Sequence, residues 1–186
     1  MDSIYELEKD INACRACSLY KNGKAAISRE GSHIKSKGVK LMVIGEAPDK
    51  IASETGIPFY SGEISDLLNT WLNILCPDKD FVIVNAVKHY PVKENRDWRS
   101  PTEEEINKCC KFLYRQIELY KPQNILCLGD VAYFAITNRH DLKKNILNFN
   151  TINYKNVRCL FYYHPGYVIK NKIEWKEYIL KLQEIL

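Results

Sequence analysis

Three residues with reactive side chains stand at or just beyond the ends of short apolar runs. Glu46 follows Leu41–Ile44, Asn85 follows Phe81–Val84, and His164 follows Val157–Tyr162. In open α/β sheets, ligands bind outside the carboxyl ends of the strands, so a shared sheet would gather all three at one edge. Each is weak alone. A lone Asn at a strand end is more often a turn residue, a lone His a packed or surface one, and a lone loop carboxylate simply solvated. Phe59, in Gly56-Ile-Pro-Phe59, reads by itself as core. Jointly they make a coherent set. Phe59 offers a face on which a planar base could stack. Asn85 carries both an acceptor and donors and could read an imide edge. His164 could donate to an oxygen on which negative charge develops. Glu46 could orient or activate water, or stabilise a cationic sugar. Together they describe cleavage of an N-glycosidic bond, with uracil leaving as an anion.

The elements that must position these residues follow from the hydrophobic pattern. Leu41–Ile44, Phe81–Val84, Asn124–Leu128 and Val157–Tyr162 are continuous apolar runs of strand length, as in a sheet buried on both faces. Helical spacing places Ile4, Leu7 and Ile11 on a helix over 2–13, and Ile64, Leu67, Leu68, Trp71 and Leu75 on a second. Ser100-Pro-Thr-Glu-Glu104 has Pro and acids where a helix should start. That helix runs through Ile106, Cys109, Cys110, Leu113, Ile117 and Tyr120 to Lys121-Pro122. Further helices are predicted near 131–136 and over 171–186, with loops over 21–39, around Asp49, and over Lys88–Ser100. Alternating strands and helices predict one α/β domain over 1–186, with helices on both faces of a four-stranded parallel sheet.

Bulk properties agree. The 186 residues suffice for one core, and 46% apolar with 27% charged residues is ordinary for a globular chain. A formal charge of +4 permits an anionic partner without demanding one. No apolar run reaches membrane-span length and no signal-peptide pattern opens the chain, which predicts a cytoplasmic protein with no membrane contact; a monomer is expected. Seven cysteines, an odd number without small-scaffold spacing, argue against a secreted disulfide framework and turn attention to metal.

Gly45-Glu-Ala-Pro48, Gly56-Ile-Pro-Phe59, Asn85-Ala-Val-Lys88, Glu104-Glu-Ile106 with Cys109, and His164-Pro165 fall in an order that resembles the uracil-DNA glycosylase superfamily. The likeness is greatest to its iron–sulfur family four, and Cys14-Arg-Ala-Cys17 fits the same pattern. The resemblance covers nearly the whole chain. It implies a three-layer α/β/α fold, excision of uracil from DNA, and a [4Fe–4S] cluster. It also implies that Phe59 stacks on a flipped uracil, Asn85 reads its pairing edge, His164 stabilises its oxygen, and Gly45, Ala47 and Asp49 line its pocket. Glu46 matches the acid of the first motif. Ala47 stands where the best-known glycosylases carry a water-activating aspartate.

Departures are visible. Asp49 replaces a usual Gly, and Ala52 replaces an acid that helps some members exclude the thymine methyl, which leaves room for 5-substituted bases. Tyr60-Ser-Gly62 is one residue longer than usual in the family, and Gly166 stands where Ser is common. The family's third cysteine ligand is His89 here, beside Cys14, Cys17 and Cys109, so the implied set is Cys₃His. By composition such a set suits Zn²⁺; the resemblance favours iron–sulfur, to which histidine can also bind. Cys127 and Cys159 read as packing residues, and His33 and His140 as solvated.

Lys88, Lys93, Arg96 and Arg99, interleaved with Tyr90 and Trp98, and then Lys170 and Lys172, could meet DNA phosphates. Tyr167, Val168 or Ile169 could fill the hole left by a flipped base. A non-catalytic DNA- or partner-binding member of the same fold is the alternative, favoured by His89 and Ala52. An unrelated nucleotide-binding domain would need a glycine-rich phosphate loop, and Gly45-Glu-Ala-Pro48 is a poor one.

Overall fold

A computed structural model describes residues 3–32, 38–95 and 97–186. The expectations for His33 and Arg96 lie outside the described residues. All four predicted strands form: β2 (Leu41–Gly45), β3 (Phe81–Asn85), β4 (Asn124–Leu128) and β6 (Val157–Tyr162). They run parallel in the order β3-β2-β4-β6. Among the described residues the sheet has six strands, not four. β1 (Arg29–Glu30) pairs antiparallel with β3, and β5 (Ile152–Tyr154) pairs antiparallel with β6. Both additions cover edges of the parallel sheet, which would otherwise present unpaired backbone.

β2, β3 and β4 are buried along their whole length, which is why they read as unbroken apolar runs rather than alternating ones. On the helical faces lie α1 (Ile4–Ala13), α3 (Glu63–Leu75), α4 (Glu103–Tyr120) and α5 (Asp130–Thr137). A capping box at Ser3 and Glu6 starts α1, and one at Thr102 and Glu105 starts α4. Leu7 and Ile11 of α1 join Ala25 and Phe112 in a small second core, and Arg115 of α4 pairs with Asp10 at 2.8 Å.

Short helices occupy stretches read as loops. α2 (Lys50–Thr55) begins at Asp49, whose carboxylate accepts from the Ala52 N–H at 2.7 Å, and ends at Gly56 with φ +83°. α6 covers Leu142–Leu147. The closing helix predicted over 171–186 is α8 (Lys176–Ile185), and a separate short helix, α7 (Pro165–Lys170), precedes it. The break falls at Asn171 and Lys172, the latter with φ +51°. α3 packs against α7 and α8, and Trp71 meets Tyr162 edge-on at 5.3 Å.

The direction of chain crossing changes between β2 and β4, since β3 lies to one side and β4 and β6 to the other. A crevice opens at the carboxyl ends of such a pair. Gly45-Glu46 and Gly129-Asp130 flank it.

Candidate active site

Gly45 ends β2 in very tight quarters. A Cβ there would lie 2.5 Å from Asn85 Oδ1 and 2.5 Å from the Phe59 ring, so any side chain would drive the two away. The predicted neighbours Gly45, Phe59 and Asn85 are therefore brought together, and glycine is the residue that allows it. Asn85 is buried at 1% exposure, and its Oδ1 has no hydrogen-bond partner. A buried, unpaired acceptor costs about 1–3 kcal/mol, and sites that bind polar ligands are where such a cost recurs.

Phe59 adopts φ +51°, uncommon for a bulky residue. Its carbonyl is held from two sides. Ser65 Oγ donates to it at 2.6 Å, and the Arg29 guanidinium also donates to it. Arg29 reaches on to Asn69 Oδ1 and to Ser65 Oγ. No carboxylate pairs with Arg29 among the described residues, and burial lowers its pKa. The Phe59 ring stands 5.6 Å from the His164 ring at 33°.

His164 caps α7. Its Nδ1 accepts from the Gly166 N–H at 3.2 Å, which assigns the ring proton to Nε2. Burial depresses its pKa to about 4, so the imidazole is neutral at ordinary pH and still a donor. Gly129, with φ +86°, passes close behind it; a Cβ there would come 3.1 Å from His164 Cβ. Glu46 is half-buried and accepts from Ser100 Oγ. Burial raises its pKa, the Ser100 bond lowers it, and Asp130 across the crevice raises it again.

These groups border a cavity of about 420 Å³, on whose wall stand Glu46, Ala47, Asp49, Phe59 and His164. Asn85 does not form part of that wall; its Oδ1 lies against Gly45, which the Phe59 ring also meets. Ala52 is buried within α2 and does not reach the wall, so the room expected there is bounded by Asp49 instead.

Other expectations need correction. Lys88 cannot meet phosphate: it is wholly buried, its Nζ donates to the Asn85 carbonyl and to Gln116 Oε1, and burial lowers its pKa to about 8. Arg99 is engaged by Glu105 through two bonds of 2.7 and 2.8 Å. Val168 is a core residue, whereas Tyr167 is exposed at the cavity wall. His140, by contrast, is exposed as expected, with Glu103 at 3.2 Å and the Phe134 ring beside it. Ser100, Asp130, Arg29 and Ser65 are missing from the sequence reading. Only Asp130 had a signal there, since Gly129-Asp130 repeats the Gly-acid pair of Gly45-Glu46 at a second strand end.

Cys14 and Cys17 follow α1, His89 follows β3, and Cys109 lies on α4; all three cysteines are free. Cys109 Sγ accepts from the Lys88 N–H at 3.3 Å. Burial raises its thiol to about 11, Lys88 acts in the opposite direction, and Cys17 and Cys14 raise it further. Three thiols, two of which act on the third, and an imidazole whose pKa is lowered by burial and by Arg15 fit a thiolate-rich metal group by donor chemistry. Among the described residues no three such donors gather closely enough to hold a single ion.

Comparison with known proteins gives the same family as the motifs. The family model for the uracil DNA glycosylase superfamily matches residues 32–184. A type-4 uracil-DNA glycosylase of Archaeoglobus fulgidus is 30% identical over 181 residues, covering 91% of this chain and 84% of that protein. One from Saccharolobus solfataricus is 32% identical over 92% of this chain and 79% of its own length. One from Thermotoga maritima is 28% identical over 87% and 81% respectively. With a family match spanning most of its length and type-4 relatives along nearly all of it, this chain belongs to the uracil-DNA glycosylase superfamily.

Proposed function

We propose that the protein is a DNA-repair glycosylase that takes uracil out of the DNA stack and hydrolyses its N-glycosidic bond, leaving an abasic site. The observation that carries this reading is the orphaned Asn85 Oδ1, buried beside an aromatic ring and a neutral imidazole donor. An imide N–H would satisfy that acceptor, and the amide's own N–H₂ would donate to the adjacent carbonyl. Cytosine has no N–H at that position and would leave Asn85 unpaired. Phe59 stacks on the base. As the glycosidic bond breaks, its electron pair moves into the uracil ring, and His164 Nε2–H donates to the oxygen that gains the charge. A neutral donor suits this role, since it stabilises the anion without first giving up a proton of its own. Glu46 orients the attacking water and favours the cationic sugar.

Cys14, Cys17, His89 and Cys109 are proposed to hold a [4Fe–4S] cluster, with a zinc ion as the alternative. When bound, the cluster supplies a cross-link rather than chemistry, because its ligands are not the residues assigned to the base. The protein is proposed to work as an intracellular monomer on uracil-containing DNA; among the described residues no helix is long and apolar enough to cross a membrane.

The test is incubation with a uracil-containing oligonucleotide, followed by alkali to cut abasic sites. Asn85→Ala and His164→Ala should each slow single-turnover excision by around a hundredfold, about 2.7 kcal/mol. Parent rates in both variants would rule out this site. Uracil-DNA binding without any excision by the unaltered protein would favour a non-catalytic binder.

A further inference from the structure

Trp98 stands out among the aromatic residues at the cavity. It is 47% exposed, yet it forms part of the same wall as Phe59 and His164. Nothing in the chemistry assigned to the base uses it. Its position is nonetheless fixed. Trp98 bridges Val92 in an antiparallel pair, and the Lys93 N–H donates to the Asp97 carbonyl at 2.8 Å. The neighbouring Arg99 is pinned by Glu105 and donates to the Val92 carbonyl at 3.1 Å. Ser100 ties the same segment to Glu46. An indole that leaves half its surface in water, on a segment anchored to the active-site acid, is a prepared contact rather than a slack loop. Tyr167 and Lys170 line the same cavity, and both are exposed.

We infer that Trp98 is a stacking platform for the nucleobase next to the flipped uracil, and that it gives the enzyme a preference for unpaired DNA. The inference rests on the proposed glycosylase reading and extends it to the form of the substrate. In a duplex the flanking base stays paired and stacked on its other neighbour, and the face uncovered by flipping looks into the helix rather than out toward the indole. In a single strand the base is free to swing onto the indole, while Lys170 is available to the backbone phosphate. Of the three tryptophans, Trp71 is fully buried and Trp175 is packed 6.1 Å from it, so Trp98 is the one positioned to stack on DNA.

The experiment uses DNA without uracil, so it reads binding apart from excision. Tryptophan fluorescence is followed while the full chain is titrated with a single-stranded oligothymidylate, and then with a duplex of mixed sequence. The single strand should quench fluorescence, and Trp98→Ala should remove the quench and weaken single-strand binding roughly tenfold, with a smaller change for duplex. Trp98→Phe should restore most of the affinity. Circular dichroism and thermal midpoint establish that the variants fold. Equal single-strand affinity in parent and Trp98→Ala overturns the inference, as does an equal loss for both DNA forms. If the parent binds neither DNA but excises uracil, only the platform fails; if it neither binds these DNAs nor excises uracil, the glycosylase reading fails as well; and if it binds DNA but ignores Trp98→Ala, only the platform fails.

Discussion

At Glu46, burial and Asp130 raise the pKa while the Ser100 hydroxyl lowers it, and burial is the largest of the three effects. The carboxyl therefore loses its proton at higher pH than a free glutamate. If the ionised form orients water, excision should fall on the acid side through that raised pKa. Ser100→Ala removes the lowering bond and should shift the acid limb to higher pH. Asp130→Asn removes a like charge and should shift it lower. Single-turnover rates from about pH 4 to 8 would check both, and three coincident profiles would remove Glu46 from the role. His164 should add nothing to that limb above about pH 4, because it is already neutral there. It does act on stability. The unfolded imidazole takes up a proton near ~6.5, the folded one only near about 4. Its contribution is therefore complete above ~6.5 and is lost as pH falls from there toward about 4.

The elements show where sequence pattern carries information and where it stops. The four parallel strands were legible because burial on both faces leaves an unbroken apolar run. β1 was not, since two residues have no period, yet it delivers Arg29 to the carbonyl of Phe59. Lys88 was misread because a lysine within a charged loop has the same appearance in sequence whether it is solvated or buried. Its burial follows from two acceptors, the Asn85 carbonyl and Gln116, that only the fold brings together. The positive φ of Phe59 was equally invisible, because no glycine or asparagine announces it. Holding that conformation costs about 1–3 kcal/mol, and the bonds from Arg29 and Ser65 offset it. Arg29→Met should loosen the ring's placement. Inhibition by free uracil should then weaken about tenfold, ~1.4 kcal/mol, while the acid limb set by Glu46 stays in place. An unchanged uracil inhibition constant would leave Arg29 with a purely structural part.

On the scale of the whole molecule, the active edge draws on segments that the sheet does not by itself tie together. The N-terminal helix rests on α4 through a core of its own, distinct from the main one. The segment from Lys88 to Ser100 carries Trp98 and Ser100 to the cavity with little apolar burial beyond its first residues. Cys14 and Cys17 stand at the end of α1, His89 at the root of that segment and Cys109 on α4, so a group bound by all four would cross-link all three parts. The Lys88 N–H on Cys109 and the Lys88 ammonium on the Asn85 carbonyl would put such a group one residue's reach from Asn85. Anaerobically purified protein should be brown, with about four irons per chain. His89→Cys should keep the iron and lower the reduction potential, because a thiolate adds negative charge where imidazole adds none. Cys14→Ala should lose the iron, lower the denaturant midpoint and weaken DNA binding, while Asn85 and His164 stay in place on the sheet. Colourless protein with one tightly bound zinc would replace the cluster with a Cys₃His zinc site. Metal-free protein that excises uracil at the parent rate and unfolds at the parent midpoint would leave the three segments held by packing alone.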